Sequence, residues 1–125
     1  PKKHSDNCTN KHQETNQNFK PMVRIFKNIQ SKLIEDKIIT KDIAPSYFIE
    51  GLLHNAPREL FIGSYEDMVV NILNWFHNMS DRSELLCANE QHYLLRDGFP
   101  VCWPPTNAQK FISEAIKLWN NWNEN

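Results

Sequence analysis

The sequence predicts a mainly α-helical fold with the character of a helical bundle. Apolar residues recur at three- to four-residue spacing in several stretches, as expected for amphipathic helices. Only three of the 125 residues are glycine, which disfavours a sheet-dominated fold with many tight turns. A chain of this length, with 40% hydrophobic residues, fits one domain with one core. We therefore expect a polar lead-in over residues 1–18, part of which could be helical, followed by a helical domain over residues 19–125.

The first amphipathic stretch begins at Phe19 and is expected to end near Asp36. Polar residues at 15–18 offer groups that can cap the start of this helix. Its predicted apolar face consists of Val23, Phe26, Ile29 and Leu33. The regular spacing of this face indicates that the helix lies against the core.

A basic stripe occupies another face of the same stretch. Lys20, Arg24 and Lys27 stand at positions i, i+4 and i+7, so they would line about 10 Å of the helix. Residues 1–41 hold nine Lys and Arg against four Asp and Glu, whereas residues 42–125 hold five against eleven. This uneven charge indicates either a site for an anion such as phosphate or a solvated basic face.

Two shorter helices are expected next. One starts at Pro45 or Ser46 and runs to about Asn55, shortly before a proline that cannot continue it. The other spans residues 65–78 and shows the clearest helical period. Its apolar face is formed by Met68, Ile72, Trp75 and Phe76.

The last third of the chain combines an irregular segment with a final helix. Residues 81–104 contain short apolar runs and an Arg-Asp-Gly turn signal, so one short β-hairpin could form there. Thr106 is expected to cap a helix that continues through Trp122. The apolar face of this helix is predicted to contain six inward-facing residues: Phe111, Ile112, Ala115, Leu118, Trp119 and Trp122.

The number and spacing of the cysteines indicate the cellular compartment of the protein. Cys8, Cys87 and Cys102 are odd in number and form no Cys-x-x-Cys pair, which favours reduced thiols over a disulfide framework. The sequence has no apolar run long enough to span a membrane. We therefore expect a cytoplasmic protein that makes no contact with a membrane.

A possible metal site involves His4, Cys8 and His12. Their spacing of four would place all three on one face of a helix, and imidazole and thiolate are zinc ligands. A structural zinc ion normally needs a closed set of four ligands, and a fourth is missing here. We therefore expect polar surface residues and no bound metal.

Ser46 and Tyr47 stand together at a predicted helix N-terminus. Such a terminus has unpaired backbone N–H groups that can receive phosphate oxygens. Ser46 could donate its hydroxyl to phosphate and Tyr47 could stack on a base, with Lys27 supplying charge. Alternatively, Ser46 caps its own helix and Tyr47 packs against neighbours. Spacing alone favours this second interpretation, because serine is among the commonest N-caps.

Five stretches taken together resemble a known family. They are FKPMVRIFKNIQSKL, APSYFIEGLL, VVNILNWF, CANEQHYLL and FISEAIKLWNNW. From about Asn16 to Trp122 the chain is similar to the C-terminal helical part of bacterial CD-NTases. These nucleotidyltransferases of anti-phage signalling are grouped with cyclic GMP-AMP synthase and oligoadenylate synthase. The resemblance implies an enzyme that uses Mg²⁺ to join nucleoside triphosphates into a cyclic or linear oligonucleotide messenger and releases pyrophosphate.

The resemblance also assigns roles to residues. It implies that Lys27 contacts the triphosphate of the donor nucleotide, that Ser46 hydrogen-bonds it, and that Tyr47 stacks on its base. Lys20 and Arg24 are auxiliary candidates on the phosphate side. The implied partners are nucleoside triphosphates and a separate N-terminal catalytic lobe.

The catalytic carboxylates of that family have no counterpart in this chain. In nucleotidyltransferases a Gly-Ser pair is followed about ten residues later by Asp-x-Asp or Asp-x-Glu, which holds two metal ions. Here Gly63 and Ser64 precede adjacent Glu66 and Asp67, whose side chains cannot converge from alternate strand positions. We expect Gly63-Ser64 to be a loop and helix cap. The Mg²⁺ ligands are expected in the N-terminal lobe, with no catalytic residue and no cofactor in this chain.

Two other functions remain possible at this point. One is a non-catalytic helical interaction module that binds a partner protein through the Trp-rich last helix. The other is an RNA-tailing or tRNA-modifying nucleotidyltransferase, which would need a larger basic surface than the pI of about 6.6 indicates. Nucleic acid is therefore not an expected partner.

Overall fold

The computed structural model describes residues 2–124 and shows a mainly helical architecture. Residues 1 and 125, the outer ends of the expected segments 1–18 and 19–125, lie outside the described residues. The α-helices are α1 (Lys2–Glu14), α2 (Phe19–Glu35), α3 (Ser46–His54), α4 (Tyr65–His77) and α5 (Pro105–Glu124). A single 3₁₀ turn at Arg58–Leu60 separates α3 from α4. The predicted fold class is confirmed.

Helix α2 is the centre of the bundle, since α1, α3, α4 and α5 all pack against it. Its bounds agree with those expected from the apolar period. The buried residues of α2 are Phe19, Met22, Val23, Phe26, Ile29 and Leu33. The start of the helix is capped by Thr15, whose hydroxyl accepts the backbone N–H of Phe19 at 2.9 Å. The N-cap residue Asn18 makes no side-chain capping bond.

Helix α1 covers most of the segment expected to be a polar lead-in. Cys8 and Lys11 are buried against the helical body. The Lys11 ammonium donates to the carbonyl oxygen of Ala56 at 2.5 Å, and the Asn7 amide donates to that of Ala88 at 2.9 Å. Helix α1 is therefore attached mainly through polar contacts, which explains why its sequence shows little apolar period.

The Gly63-Ser64 pair is a helix cap, as expected. The Ser64 hydroxyl accepts the backbone N–H of Asp67 at 3.0 Å, and the Asp67 carboxylate accepts that of Ser64 at 3.3 Å. This reciprocal pair is a capping box at the start of α4. Gly63 has a φ of 94°, and a Cβ there would lie 2.9 Å from a carboxylate oxygen of Asp67.

The segment between α4 and α5 contains isolated β-bridges, and no strand is formed by its described residues. Leu86 pairs with Tyr93 and Leu95 with Trp103, so the expected hairpin is reduced to single bridges. The side chain of Asn55 fixes this segment to the end of α3: its amide donates to the Leu86 carbonyl at 2.7 Å and its oxygen accepts the Leu86 N–H at 3.0 Å.

Helix α5, the last helix of the chain, packs against α2 and α4 and completes the core. It begins at Pro105, so Thr106 lies in its first turn and the prediction that Thr106 is the cap was wrong. Buried residues of α5 include Phe111, Ile112 and Ala115, as the apolar period predicted, whereas the prediction that Trp122 also faces inward was wrong, since it is 50% exposed. Between residues 2 and 124, no helix is both long and apolar enough to cross a bilayer.

Candidate functional site

The basic stripe of α2 faces a cavity of about 290 Å³. Lys20, Arg24 and Lys27 all line it, because their spacing places them on one side of the helix. The remaining lining residues are Cys8, Phe19, Val23 and Glu50. A cavity lined by three cationic and several apolar side chains can bind a ligand that has both an anionic group and a less polar group.

Glu50 on α3 is the carboxylate of this cavity and contacts residues of two other helices. Its Oε2 lies 3.7 Å from Lys27 Nζ of α2. Its Oε1 lies 3.4 Å from His4 Nε2 and accepts a hydrogen bond from Cys8 Sγ at 3.5 Å, both on α1. Glu50 Oε2 therefore contacts the basic stripe, and Glu50 Oε1 contacts α1.

The Cys8 thiol is a hydrogen-bond donor at neutral pH. Burial, together with the charge of Glu50 and the hydrogen bond to it, raises the pKa of Cys8 to about 12. Lys20 and Lys27 act in the opposite direction and offset only part of this effect. The thiol therefore stays protonated and supports the Glu50 carboxylate.

Ser46 does not cap α3. The N-cap residue is Pro45, and no side-chain capping bond is made there. The Ser46 hydroxyl is exposed and lies 3.5 Å from Oε1 of Gln30, to which it can donate. The Gln30 amide in turn donates to the Ala44 carbonyl. The interpretation of Ser46 as a plain N-cap is therefore wrong.

The ring of Tyr47 is partly open to solvent at the start of α3. It is 40% exposed, and it stacks on the His4 imidazole with ring centroids 5.0 Å apart and planes inclined by 21°. The edge of Phe48 contacts it at 5.6 Å. Burial, followed by the nearby Cys87 thiol, raises the pKa of Tyr47.

The structure connects Lys27 to Tyr47 through Glu50 and His4, whereas Ser46 contacts Gln30 and lies outside this series of contacts. Lys27 contacts Glu50, Glu50 contacts His4, and His4 stacks on Tyr47. A signal for Glu50 existed, since it lies four residues after Ser46 and so shares a face of α3 with it. His4 was considered from the sequence only as a metal ligand, and its contact with Tyr47 was not predicted because the polar sequence of α1 did not show which face packs inward.

The three residues first considered for zinc are not brought together. His4 and Cys8 are adjacent on α1, but His12 is not part of their cluster. Instead, His12 Nδ1 accepts the backbone N–H of Lys20 at 3.3 Å.

The cavity does not fit the Mg²⁺ of nucleotidyl transfer. Magnesium takes nearly ideal octahedral oxygen ligands and is usually held by carboxylates and phosphates. Among the described lining residues, Glu50 alone offers a carboxylate, and Lys27 already contacts it. The donor set of this cavity therefore provides binding groups for an anion and no magnesium centre.

The sequence of this chain is similar to parts of longer enzymes. Residues 6–120 match the family described as the cGAS/DncV-like nucleotidyltransferase C-terminal helical domain. The chain is 44% identical to the Cyclic nucleotide synthase CdnE01 of Staphylococcus haemolyticus and 38% identical to the Cyclic UMP-AMP synthase of Rhodothermus marinus, each over 124 residues. These matches cover 98% and 99% of this chain but 41% and 42% of the two proteins. The chain thus spans about two fifths of the length of the relatives it matches.

Solved structures show the same arrangement of helices. The Rhodothermus marinus CdnE c-UMP-AMP synthase with Apcpp and Upnpp matches with a TM-score of 0.91 at 38% identity, over 98% of this chain and 41% of that one. The Elizabethkingia meningoseptica CdnE cyclic dinucleotide synthase with GTP and Apcpp matches with a TM-score of 0.81 at 29% identity, over 98% and 44%. This chain therefore belongs to the family of cGAS/DncV-like nucleotidyltransferase C-terminal helical domains.

Proposed function

We propose that this chain is the C-terminal helical lobe of a nucleotidyltransferase that makes a cyclic or linear oligonucleotide messenger, and that it binds the donor nucleoside triphosphate. The observation that carries this proposal is the connection of the basic cavity at Lys27 to the half-exposed ring of Tyr47. The basic cavity can bind the phosphates of a nucleotide, and the ring of Tyr47 can stack on its base. The relatives support the reaction class, because their names describe cyclic nucleotide synthases.

Lys27 supplies the charge contact to the triphosphate. Its side chain is 40% exposed, and its nitrogen lies 3.7 Å from Glu50, longer than a charge-assisted hydrogen bond of about 2.7–2.9 Å. An ion pair this exposed contributes little, so phosphate can replace Glu50 as its partner. Lys20 and Arg24 line the same cavity and add positive charge toward the phosphate tail.

Ser46 and Tyr47 complete the proposed site at the N-terminus of α3. The Ser46 hydroxyl has no capping role and can donate to a phosphate oxygen beside the positive end of the helix dipole. Tyr47 offers its ring to the base. Stacking of this kind tolerates all bases, so the identity of the joined nucleotides is set elsewhere.

The reaction itself needs groups outside this chain. Magnesium ions on the N-terminal lobe would neutralise phosphate charge and activate the attacking group. The residues of this chain bind and orient the donor nucleotide. The three cysteines are free thiols, which fits the cytoplasm, where such a messenger would act in anti-phage signalling.

Two measurements test this function. Incubated with labelled nucleoside triphosphates and Mg²⁺, the isolated chain should form no oligonucleotide, and appreciable product would overturn the division of labour between the lobes. Titration of the ¹⁵N-labelled chain with a non-hydrolysable triphosphate should shift the amide signals of Lys27, Ser46 and Tyr47. If these signals stay in place while distant ones move, the site assignment is wrong.

A helical interaction module is the second candidate, and one observation favours it. Trp122 is 50% exposed and lines a cavity of about 620 Å³ between α5 and the end of α2, together with Ile38 and Leu118. The complete reading frame discriminates the two functions. An upstream Gly-Ser pair followed by paired carboxylates supports the synthase, and a frame without them supports the module.

A further inference from the structure

Three donor atoms from two helices converge beside the basic cavity. His4 and Cys8 are separated by one turn of α1, so both side chains lie on the same face. Glu50 meets them from α3, and the ligand atoms of all three side chains lie within 4.8 Å of one another. His4 Nε2 and Cys8 Sγ are 3.4 and 3.5 Å from the same oxygen, Glu50 Oε1.

These separations match the edges of a small coordination polyhedron. Bond lengths of about 2.0–2.3 Å place the ligands of a tetrahedral zinc ion about 3.3–3.8 Å apart. The separations from Glu50 to His4 and from Glu50 to Cys8 have that length, and the ligand atoms of His4 and Cys8 lie within 4.8 Å of each other. We propose that His4, Cys8 and Glu50 bind one zinc ion, which joins α1 to α3.

The donor types select the metal. One imidazole nitrogen, one thiolate and one carboxylate form a mixed set that suits zinc and other late divalent metals, and not Mg²⁺ or Ca²⁺. On coordination the Cys8 thiol releases its proton to solvent, so the thiolate and the Glu50 carboxylate together balance the charge of the ion. Three protein ligands leave a fourth position for water.

The surroundings hold the donors in place. Lys27 contacts Oε2 of Glu50, on the oxygen opposite the proposed ion, and orients the carboxylate as outer groups do at metal sites. His4 Nδ1 is buried and lacks a hydrogen-bond partner in the described part of the chain. The ring itself is held by its stacking on Tyr47, with centroids 5.0 Å apart.

This site differs from the metal set considered from the sequence. That set contained His12 and was incomplete, whereas the structure supplies Glu50 from α3 in its place. The proposal therefore replaces the expectation that the chain binds no metal. It stands on the geometry of these three side chains and does not depend on nucleotide binding.

Zinc binding is measured on the purified chain without nucleotide. Metal-free protein is titrated with Zn²⁺ against a chromophoric chelator, and we expect one ion per chain. Because the ion binds the folded state, the melting temperature should rise with zinc concentration. Titration with Co²⁺ should give a thiolate-to-cobalt charge-transfer band. Substoichiometric zinc, or bound cobalt without that band, overturns the proposal.

Matched variants locate the ion. Cys8→Ser should abolish the charge-transfer band, whereas Cys102→Ser removes another buried thiol and should keep it. Glu50→Gln should weaken zinc at least about tenfold, since even outer-shell changes cost that much. Equal zinc affinity of Cys8→Ser and the unchanged chain overturns the proposal. If Cys8→Ser does not fold, the cobalt spectrum of the unchanged chain, with and without thiol alkylation, decides.

Discussion

The His4 imidazole stacks on the Tyr47 ring at a centroid distance of 5.0 Å and an interplanar angle of 21°. His4 belongs to α1 and Tyr47 to the first turn of α3, so this contact crosses between two helices far apart in sequence. The Tyr47 ring thus has one face covered, while 40% of the residue remains exposed. An aromatic ring held in this way loses little conformational freedom when a base stacks on it.

Replacing Tyr47 in the full-length enzyme should weaken nucleotide binding for every base. Tyr47→Ala removes a stacking surface worth roughly 1–3 kcal/mol per base, whereas Tyr47→Phe keeps the ring and should retain most of the affinity. Equilibrium binding of non-hydrolysable triphosphates with different bases, beside melting curves, measures this. A lower melting temperature with unchanged binding by the folded variant would show that Tyr47 serves packing alone.

Lys27→Ala should weaken triphosphate binding much more than Lys32→Ala. Both side chains are 40% exposed and both pair with a carboxylate, but only Lys27 lines the basic cavity. Loss of a charge-assisted contact to phosphate costs about 1.5–3 kcal/mol, or about ten- to hundredfold in affinity. The measurement is the dissociation constant of a triphosphate analogue in the full-length enzyme. Equal losses in the two variants would indicate general charge attraction and no specific contact.

Ser46→Ala and Ser64→Ala should affect stability differently. Ser64 is the N-cap of α4 and forms a capping box, so its replacement should cost about 0.5–2 kcal/mol of unfolding free energy. The Ser46 hydroxyl caps no helix, so Ser46→Ala should stay within about 0.5 kcal/mol of the unchanged chain. Urea unfolding of the isolated chain compares them. A large loss of unfolding free energy for Ser46→Ala would show that Ser46 has a structural role.

The sequence predicted helices better than it predicted contacts. The bounds of α2 follow directly from its apolar period, since local periodicity determines which face meets the core. The contacts of Glu50 could not be predicted from the sequence, because its partners lie on two other helices and are more than twenty residues away along the chain. Helix α1 was the least predictable element, since Asn7 and Lys11 attach it through single polar bonds that leave no periodic pattern.

His54 should make folding stability depend on pH. Burial lowers its pKa, and Lys11 acts in the same direction, while the Glu90 and Glu14 carboxylates and a hydrogen bond that the imidazole donates to the backbone carbonyl of Asn7 offset part of the effect. In the unfolded chain the pKa is about 6.5, so the unfolded state binds more protons between that value and the lower folded-state pKa. Stability should therefore fall as pH decreases through this window and become level below it.

His54→Gln tests this linkage, because glutamine keeps a polar side chain and removes the titration. Urea unfolding of the isolated chain at a series of pH values below about 7 should show a steeper loss of stability for the unchanged chain than for His54→Gln. His77→Gln, at an exposed position near the end of α4, should keep the slope of the unchanged chain. If the His54→Gln and His77→Gln slopes coincide, protonation of His54 does not oppose folding, and its contact with Glu90 at 3.8 Å offsets the effect of burial.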